Sequence, residues 1–276
     1  MRRNMCGNLI RQEFWQVYKV YGGFLIIAAL LGTGCFLLGY TGNGTLLLVA
    51  GILLFCCALL ATLFGTVYTA FRYHRSMFSR EGYLTQTLPV SRTMLLTGKT
   101  LAGTMGMLLC SLTSCLLLAL GFSLFFQGIE LLSQYLPGTM TPQEIEMLPA
   151  MRGLTAAGIR SSLLTGVFCA PGHVLASYLA VTLANIGSLS RHHVLFSFLF
   201  YGGYLVVLQF MGSLFTVLAM PRMPDGADLP QVFTYLEQLQ KFVDRMTLLS
   251  CLCSLLASVG IFLLIRWLLE KKTMVR

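Results

Sequence analysis

Six long apolar runs, separated by short polar segments, dominate the pattern of the chain. They cover residues 22–40, 46–71, 91–126, 161–188, 194–220 and 248–269. An α-helix needs about 20 apolar residues to cross the roughly 30 Å hydrocarbon layer of a bilayer. The pattern therefore predicts an all-α integral membrane protein with six transmembrane helices, which form a single domain over residues 1–276.

The composition supports a membrane protein rather than a soluble one. Of the 276 residues, 56% are hydrophobic and 11% are charged, whereas soluble domains carry about 25% charged residues. The net charge of +9 is typical of Lys and Arg held at one membrane face. Membrane lipids are therefore expected partners, and nucleic acid is not.

The charges between the runs predict which way the chain crosses the membrane. If the N-terminus is inside, the cytoplasmic segments hold most of the 19 basic residues but only three of the ten acidic ones, Glu13, Glu81 and Glu270. Cytoplasmic segments of membrane proteins are enriched in Lys and Arg. With six spans, both termini are then predicted to be cytoplasmic.

Three polar segments beside the runs are predicted to have structure of their own. Residues 8–21 carry an apolar face that includes Phe14, Val17 and Tyr21, which predicts an amphipathic N-terminal helix at the membrane interface. This helix would either anchor the first span or transmit motion. Outside, residues 228–246 predict a short helix, and residues 127–159 predict an ordered cap with helical fragments.

The sequence contains little that indicates catalytic, metal or nucleotide chemistry. Almost all of the nine cysteines lie in apolar runs, where cysteine behaves as a small hydrophobic residue, so neither a disulfide framework nor a metal site is predicted. Gly98, Lys99 and Thr100 match the end of a phosphate-binding loop, but Thr93 stands where that loop requires its first glycine. No nucleotide-binding domain is predicted, and Lys99 is expected to extend to the headgroups.

The cytoplasmic segment 71–92 joins the second and third spans. Pro89 should stop any preceding helix, and Ser91 suits the N-cap of the next one. Tyr83, Leu84 and Leu88 are apolar residues in a basic, water-exposed loop. Such a loop is either a docking site for a partner or a loop that folds back onto the membrane, and the residues alone leave both possibilities open.

Two stretches of the chain resemble a known family. The segment EGYLTQTLPVSRTMLLTGKTLAG, residues 81–103, resembles the signature of bacterial type-2 ABC exporter permeases of the Gram-positive kind. Phe71, Arg72 and Phe78 match the residues that precede that signature. Residues 176–193, ASYLAVTLANIGSLSRHH, are similar to the family's fourth span and basic inner loop. The resemblance implies a six-helix, multi-pass permease that works as a dimer, with a second copy or a paralogue, in the bacterial cell membrane.

The resemblance also implies a partner and a contact site. In this family a separate ABC ATPase docks on a coupling helix in the loop between spans two and three. Carried over by position, the contact would involve Arg80, Glu81, Gly82, Tyr83, Leu84 and Pro89. The chain would then not be an enzyme and would hold no cofactor, since ATP and magnesium would bind in the partner. The alternatives are a non-transporting sensor or scaffold, and a lipid enzyme, which needs a polar cluster near one membrane face.

A possible translocation path is expected around the fourth span. Pro171 and Gly172 can kink that helix, and His173 is an ionisable residue within the membrane, which is a functional hypothesis by default. Few charged residues lie within the spans. A path of this kind would suit an apolar or amphiphilic cargo.

Overall fold

The described part of the chain is a bundle of six long helices. The computed structural model describes residues 2–79, 91–135, 142–185, 191–222 and 229–271. All six helices are long and apolar enough to cross a membrane, which confirms the six predicted spans and the all-α class expected of a multi-pass membrane protein. They are α1 (Arg2–Leu38), α2 (Gly44–Phe78), α3 (Arg92–Tyr135), α4 (Pro142–Ala184), α5 (His193–Ala219) and α6 (Leu229–Lys271).

The starts and turns of these helices follow simple local rules. A short 3-10 turn, Gly39–Thr41, ends at Gly42, whose φ of 66° is a left-handed conformation that glycine adopts without a Cβ penalty. At the start of α3 the amide of Met94 donates to the Ser91 hydroxyl at 3.4 Å, which confirms the predicted N-cap. Pro142 opens α4 at a position where the missing N–H has no intrahelical partner anyway.

The start of α1 and the end of α6 lie at the same end of the bundle, which we call the terminal end. Leu269 of α6 packs there in one cluster with Met77 of α2 and Leu95 of α3. The other end of the bundle is called the opposite end. The last turns of α2, α4 and α6 and the first turns of α3 therefore lie at this end.

The N-terminal amphipathic segment differs from the prediction. It is not a separate helix, because α1 runs unbroken from Arg2 to Leu38. Val17 and Tyr21 are 5% and 2% exposed and pack into the bundle beside Ala102 and Cys110. Val17 and Tyr21 of the apolar face thus contact other helices, while Phe14, Trp15 and Tyr18 stay exposed.

The opposite end is also more helical than the sequence predicts. Instead of a cap and a short separate helix, the spans α3, α4 and α6 continue to lengths of 44, 43 and 43 residues. At 1.5 Å per residue each is about 65 Å long, roughly twice the hydrocarbon layer. The side chains of Arg160 and Asp244 bond at 2.7 Å, and those of Ser161 and Thr247 at 2.6 Å. These contacts hold the extensions of α4 and α6 together.

Glycines bring α2 and α3 into backbone contact, and this is the most extensive helix pair of the bundle. A Cβ added at Gly51 would lie 2.8 Å from the carbonyl oxygen of Gly121, and one at Gly121 would lie 3.0 Å from that of Gly51. Gly44 and Gly128 make the same kind of backbone contact about two helical turns away. Small residues allow membrane helices to approach closely and gain van der Waals contact, so α2 and α3 form a tight hairpin.

The helices differ in how far they are covered by their neighbours. α4 contacts α2, α3, α5 and α6 and contributes much of the main core through Ala170, Val174, Leu175 and Tyr178. All of α5 is described, and none of its residues is buried. α5 thus lies on the outside of the bundle, packed mainly on α4.

Candidate functional site

A buried ion cluster joins three helices at the terminal end. The carboxylate of Glu13 on α1 accepts a hydrogen bond from Arg72 Nη2 on α2 at 2.5 Å and one from Lys99 Nζ on α3 at 2.9 Å. The side chains of Glu13, Arg72 and Lys99 are 15%, 16% and 3% exposed. Ions this far from water must be paired to be tolerated, so the three helix ends are fixed to one another.

Arg72 makes further contacts with α1. Its Nη2 also donates to the Gln16 side-chain oxygen at 2.9 Å and to the Glu13 backbone carbonyl at 3.2 Å. Gln16 lies one helical turn after Glu13 in the sequence. The guanidinium therefore contacts two successive turns of α1, a geometry that the planar, multi-donor head of arginine makes possible.

Two stacked tyrosines extend the cluster to α4. The rings of Tyr73 on α2 and Tyr178 on α4 lie 3.9 Å apart at an interplanar angle of 12°. The Tyr178 hydroxyl donates to the backbone carbonyl of Lys99 at 3.1 Å, and the Tyr73 hydroxyl bonds Thr182 at 3.2 Å. Gly103 makes room for Tyr178, since a Cβ there would lie 2.6 Å from its hydroxyl oxygen.

A third tyrosine closes the cluster from α1. The Tyr21 hydroxyl lies 3.0 Å from the carbonyl oxygen of Gly65 and 2.8 Å from the hydroxyl oxygen of Thr69. Its ring packs on Gly106, where a Cβ would come within 2.6 Å of a ring carbon. The polar groups of α1, α2 and α3 thus meet over about two helical turns, with glycines providing the space for the rings.

A small cavity lies between these side chains. Its volume is about 10 Å³, and Glu13, Arg72, Lys99, Tyr21 and Tyr178 are among its lining residues. A space of this size holds about one water molecule. The cluster is therefore a packed polar core with room for a single water, and not a pocket for a substrate.

The chemistry of the cluster favours a structural link over catalysis. Its one carboxylate accepts hydrogen bonds from two cations, so it is not free to act as a general base. In the described part of the chain, no group of three or more His, Cys, Asp or Glu side chains could hold a metal ion. The cluster can hold helix ends at a fixed distance and pass on a displacement of one end to the others.

A histidine pair lies beside this cluster at the terminal end. The rings of His74 on α2 and His193 at the start of α5 stack at 4.5 Å with an interplanar angle of 2°. This contact joins the peripheral α5 to α2, one of the helices that carry the ion cluster.

The residues expected to dock an ATPase cannot be compared with the structure. Arg80, Glu81, Gly82, Tyr83, Leu84 and Pro89 lie outside the described residues. The structure does describe the helices on either side of them. Arg72 precedes this segment by about two turns of α2, and Lys99 follows it by about two turns of α3.

The residues of the possible translocation path lie within α4, which continues through Pro171. Gly172 packs on α6, where a Cβ would lie 2.7 Å from the Ser254 hydroxyl oxygen and 3.1 Å from that of Ser258. Pro171 and His173 are half-buried. A role for these residues in transport stays a prediction.

Sequence reasoning assigned no role to Glu13 or Arg72 and was wrong about Lys99. Lys99 does not extend to the headgroups, since its side chain is 3% exposed and bonded to Glu13. One signal was present in the sequence: Glu13, Arg72 and Lys99 each lie near the terminal-end limit of an apolar run. Comparison with family models, curated proteins and solved structures finds no match for this chain.

Proposed function

We propose that this chain is the membrane-spanning permease subunit of an ABC exporter in the bacterial cell membrane. A separate ABC ATPase docks on the 71–92 segment, binds the ATP and magnesium, and supplies the energy. The terminal end, with both termini, faces the cytoplasm, and the cargo is apolar or amphiphilic. A second copy or a paralogue completes the transporter.

The observation that carries this proposal is the ion cluster of Glu13, Arg72 and Lys99. The docking segment connects α2 to α3, and the backbone contacts of Gly51 with Gly121 make these two helices a tight pair. Glu13 then ties both of them to α1 within about two turns of the segment. A force applied to the segment by a closing ATPase would move α1, α2 and α3 together.

Tyr178 carries the same displacement towards the predicted path. Its bond to the Lys99 carbonyl and its stacking on Tyr73 link α4 to α2 and α3. Pro171 and Gly172 lie about two turns from Tyr178 on the same helix. Motion of the docking segment would therefore displace the part of α4 that is predicted to line a translocation path.

A lipid enzyme fits this geometry less well. Such an enzyme needs a polar cluster near one membrane face with a free base or nucleophile. The cluster is present, but its carboxylate is bonded to Arg72 and Lys99, and its cavity holds about one water. A non-transporting sensor or scaffold would use the same contacts and differ only in lacking a path.

Co-purification tests the proposal. The tagged chain is extracted in mild detergent, and an ABC ATPase is sought by mass spectrometry. Glu81→Arg and Tyr83→Ala should remove the ATPase. The same changes at the opposite end, Glu237→Arg and Tyr235→Ala, serve as matched controls and should retain it. Absence of any ABC ATPase from the native complex, or equal retention in all four variants, would contradict docking at this segment.

A further inference from the structure

A groove between α3 and α4 lies at the opposite end, far from the ion cluster. Its volume is about 260 Å³, slightly below the range of roughly 300–1,000 Å³ for pockets that enclose a whole small molecule. A space of this size suits part of a larger ligand, such as one chain of a lipid. Its lining residues are Ala119, Phe122, Phe126, Arg152, Thr155 and Ile159, with Ser123, Gln127 and Ala156.

Contacts on both sides of the groove define its ends. Towards the middle of the bundle, the Cys115 thiol donates to the Ile159 carbonyl at 3.5 Å. Towards the opposite end, Arg152 bonds Glu130 at 2.5 Å. Between these two contacts α3 and α4 are separated by the groove. The space is therefore built into the helix pair and does not depend on a loop.

The groove changes from apolar to polar along its length. The apolar run of α3 ends at Phe126 and is followed by Gln127 and Glu130, so this level is where α3 leaves the hydrocarbon layer. Phe122 is held in place by an edge-on contact with Phe55 of α2, with ring centroids 6.3 Å apart. An acyl chain would lie on the apolar part, and a headgroup would reach the polar mouth.

The mouth carries one charge of each sign. The side chains of Arg152 and Glu130 are 45% and 44% exposed, so both reach water. Among the described residues, Arg152 uses a single N–H for Glu130, which leaves several of its five donors for another acceptor. Its guanidinium also lies over the Phe126 ring at 5.7 Å, which fixes the charge above the groove.

We propose that this groove binds a phospholipid whose headgroup combines a phosphate with a primary ammonium. The phosphate accepts hydrogen bonds from Arg152, the ammonium donates to Glu130, and one acyl chain lies against Phe122 and Ile159. A headgroup with a phosphate alone places its net negative charge beside Glu130, which disfavours it. This site does not depend on the transport proposal, since a permease, a sensor or a scaffold could each carry it.

Native mass spectrometry of the full chain in mild detergent tests the site, with phosphatidylethanolamine and phosphatidylglycerol as probes. One phosphatidylethanolamine should bind about tenfold more tightly than phosphatidylglycerol, as expected for one additional charged hydrogen bond. Ala156→Trp fills the groove from an exposed position and should abolish this binding. Met151→Trp, at an exposed position that does not line the groove, is the matched control and should bind as the native chain does.

A separate variant tests which headgroup the groove binds. Glu130→Gln keeps a hydrogen-bonding side chain for Arg152 but removes the negative charge. In this variant the affinities for the two lipids should differ by no more than about twofold, because the ammonium loses its charged partner. Equal affinity of the native chain for both lipids, or a preference that survives Glu130→Gln, overturns the headgroup assignment. Native-like lipid binding by Ala156→Trp would show that the lipid does not bind in this groove.

Discussion

Lys99 Nζ lies 2.9 Å from Oε1 of Glu13, a residue 86 positions earlier in the chain. This contact joins the first turns of two spans that have the whole of α2 between them in sequence. Arg72, near the end of α2, bonds the other oxygen of the same carboxylate. One acidic side chain thus holds three helix ends together next to the segment where an ATPase is proposed to dock.

Glu13→Gln should destabilise the bundle strongly. Without the carboxylate, Arg72 and Lys99 remain as two buried cations, and removing one partner of a buried ion pair costs about 3–5 kcal/mol. We expect a clear fall in the thermal unfolding midpoint of the protein in detergent. Glu237→Gln is the matched control, because the Glu237–Lys241 pair is 66–67% exposed and such pairs contribute about 0–1 kcal/mol. Equal midpoints for the two variants would contradict the structural importance of Glu13.

Glu13 and Lys99 should be energetically coupled. We expect Glu13→Gln combined with Lys99→Met to destabilise less than the sum of the two single changes, by about 1–3 kcal/mol. The reason is that both single changes remove the same Glu13–Lys99 ion pair, so its loss is counted twice in the sum and occurs only once in the double variant. A thermodynamic cycle of unfolding midpoints measures this coupling, and strictly additive effects would show that the two residues act independently.

Gly121→Ala should weaken the pairing of α2 with α3. The new Cβ would lie 3.0 Å from the Gly51 carbonyl oxygen, which is backbone and cannot move aside, so the helices must separate at a cost of about 1–3 kcal/mol. Gly34→Ala is the control, since a Cβ at that position has nothing within 4 Å. That change should be neutral or slightly stabilising, by up to about 1 kcal/mol. A stabilising effect at both sites would contradict the close backbone contact.

The proposed orientation predicts a difference between two native lysines. Lys241 lies on the extension of α6 at the opposite end and is 67% exposed, whereas Lys271 is exposed at the terminal end. A membrane-impermeant amine reagent applied to intact cells should modify Lys241 and leave Lys271 unmodified until the cells are permeabilised. Peptide mass spectrometry measures both sites, and the reverse pattern would place the termini outside.

The number of spans could be predicted from the sequence because the hydrocarbon layer sets a minimum length for each apolar helix. About 20 apolar residues in a row are needed and are visible without any tertiary information. The helix ends at the opposite end could not be predicted from the sequence, because proline usually stops or kinks a helix and residues 127–159 contain Pro142 and Pro149. In the structure Pro142 opens α4 and Pro149 lies inside it. The contacts of α4 with α3 and α6 outweigh these local signals.

The ion cluster could not be predicted from the sequence because its side chains come from helices that are far apart along the chain. Lys99 close to the limit of an apolar run normally reaches the headgroups, and nothing local indicates that Glu13 lies beside it. In the same way, Val17 and Tyr21 form a face that fits a membrane surface as well as it fits a helix. Their contacts with Gly106 decide between these two possibilities, and that glycine lies more than 80 positions away in the sequence.

Photo-crosslinking in living cells tests whether an ABC ATPase docks on the 71–92 segment. A photoreactive phenylalanine analogue replaces Tyr83, in the proposed docking segment, and Tyr235, at the opposite end, in separate variants of the full chain. An ABC ATPase should be crosslinked from position 83 and not from position 235. If position 83 gives crosslinks to lipid alone, or if both positions give the same products, this segment is not where an ATPase docks.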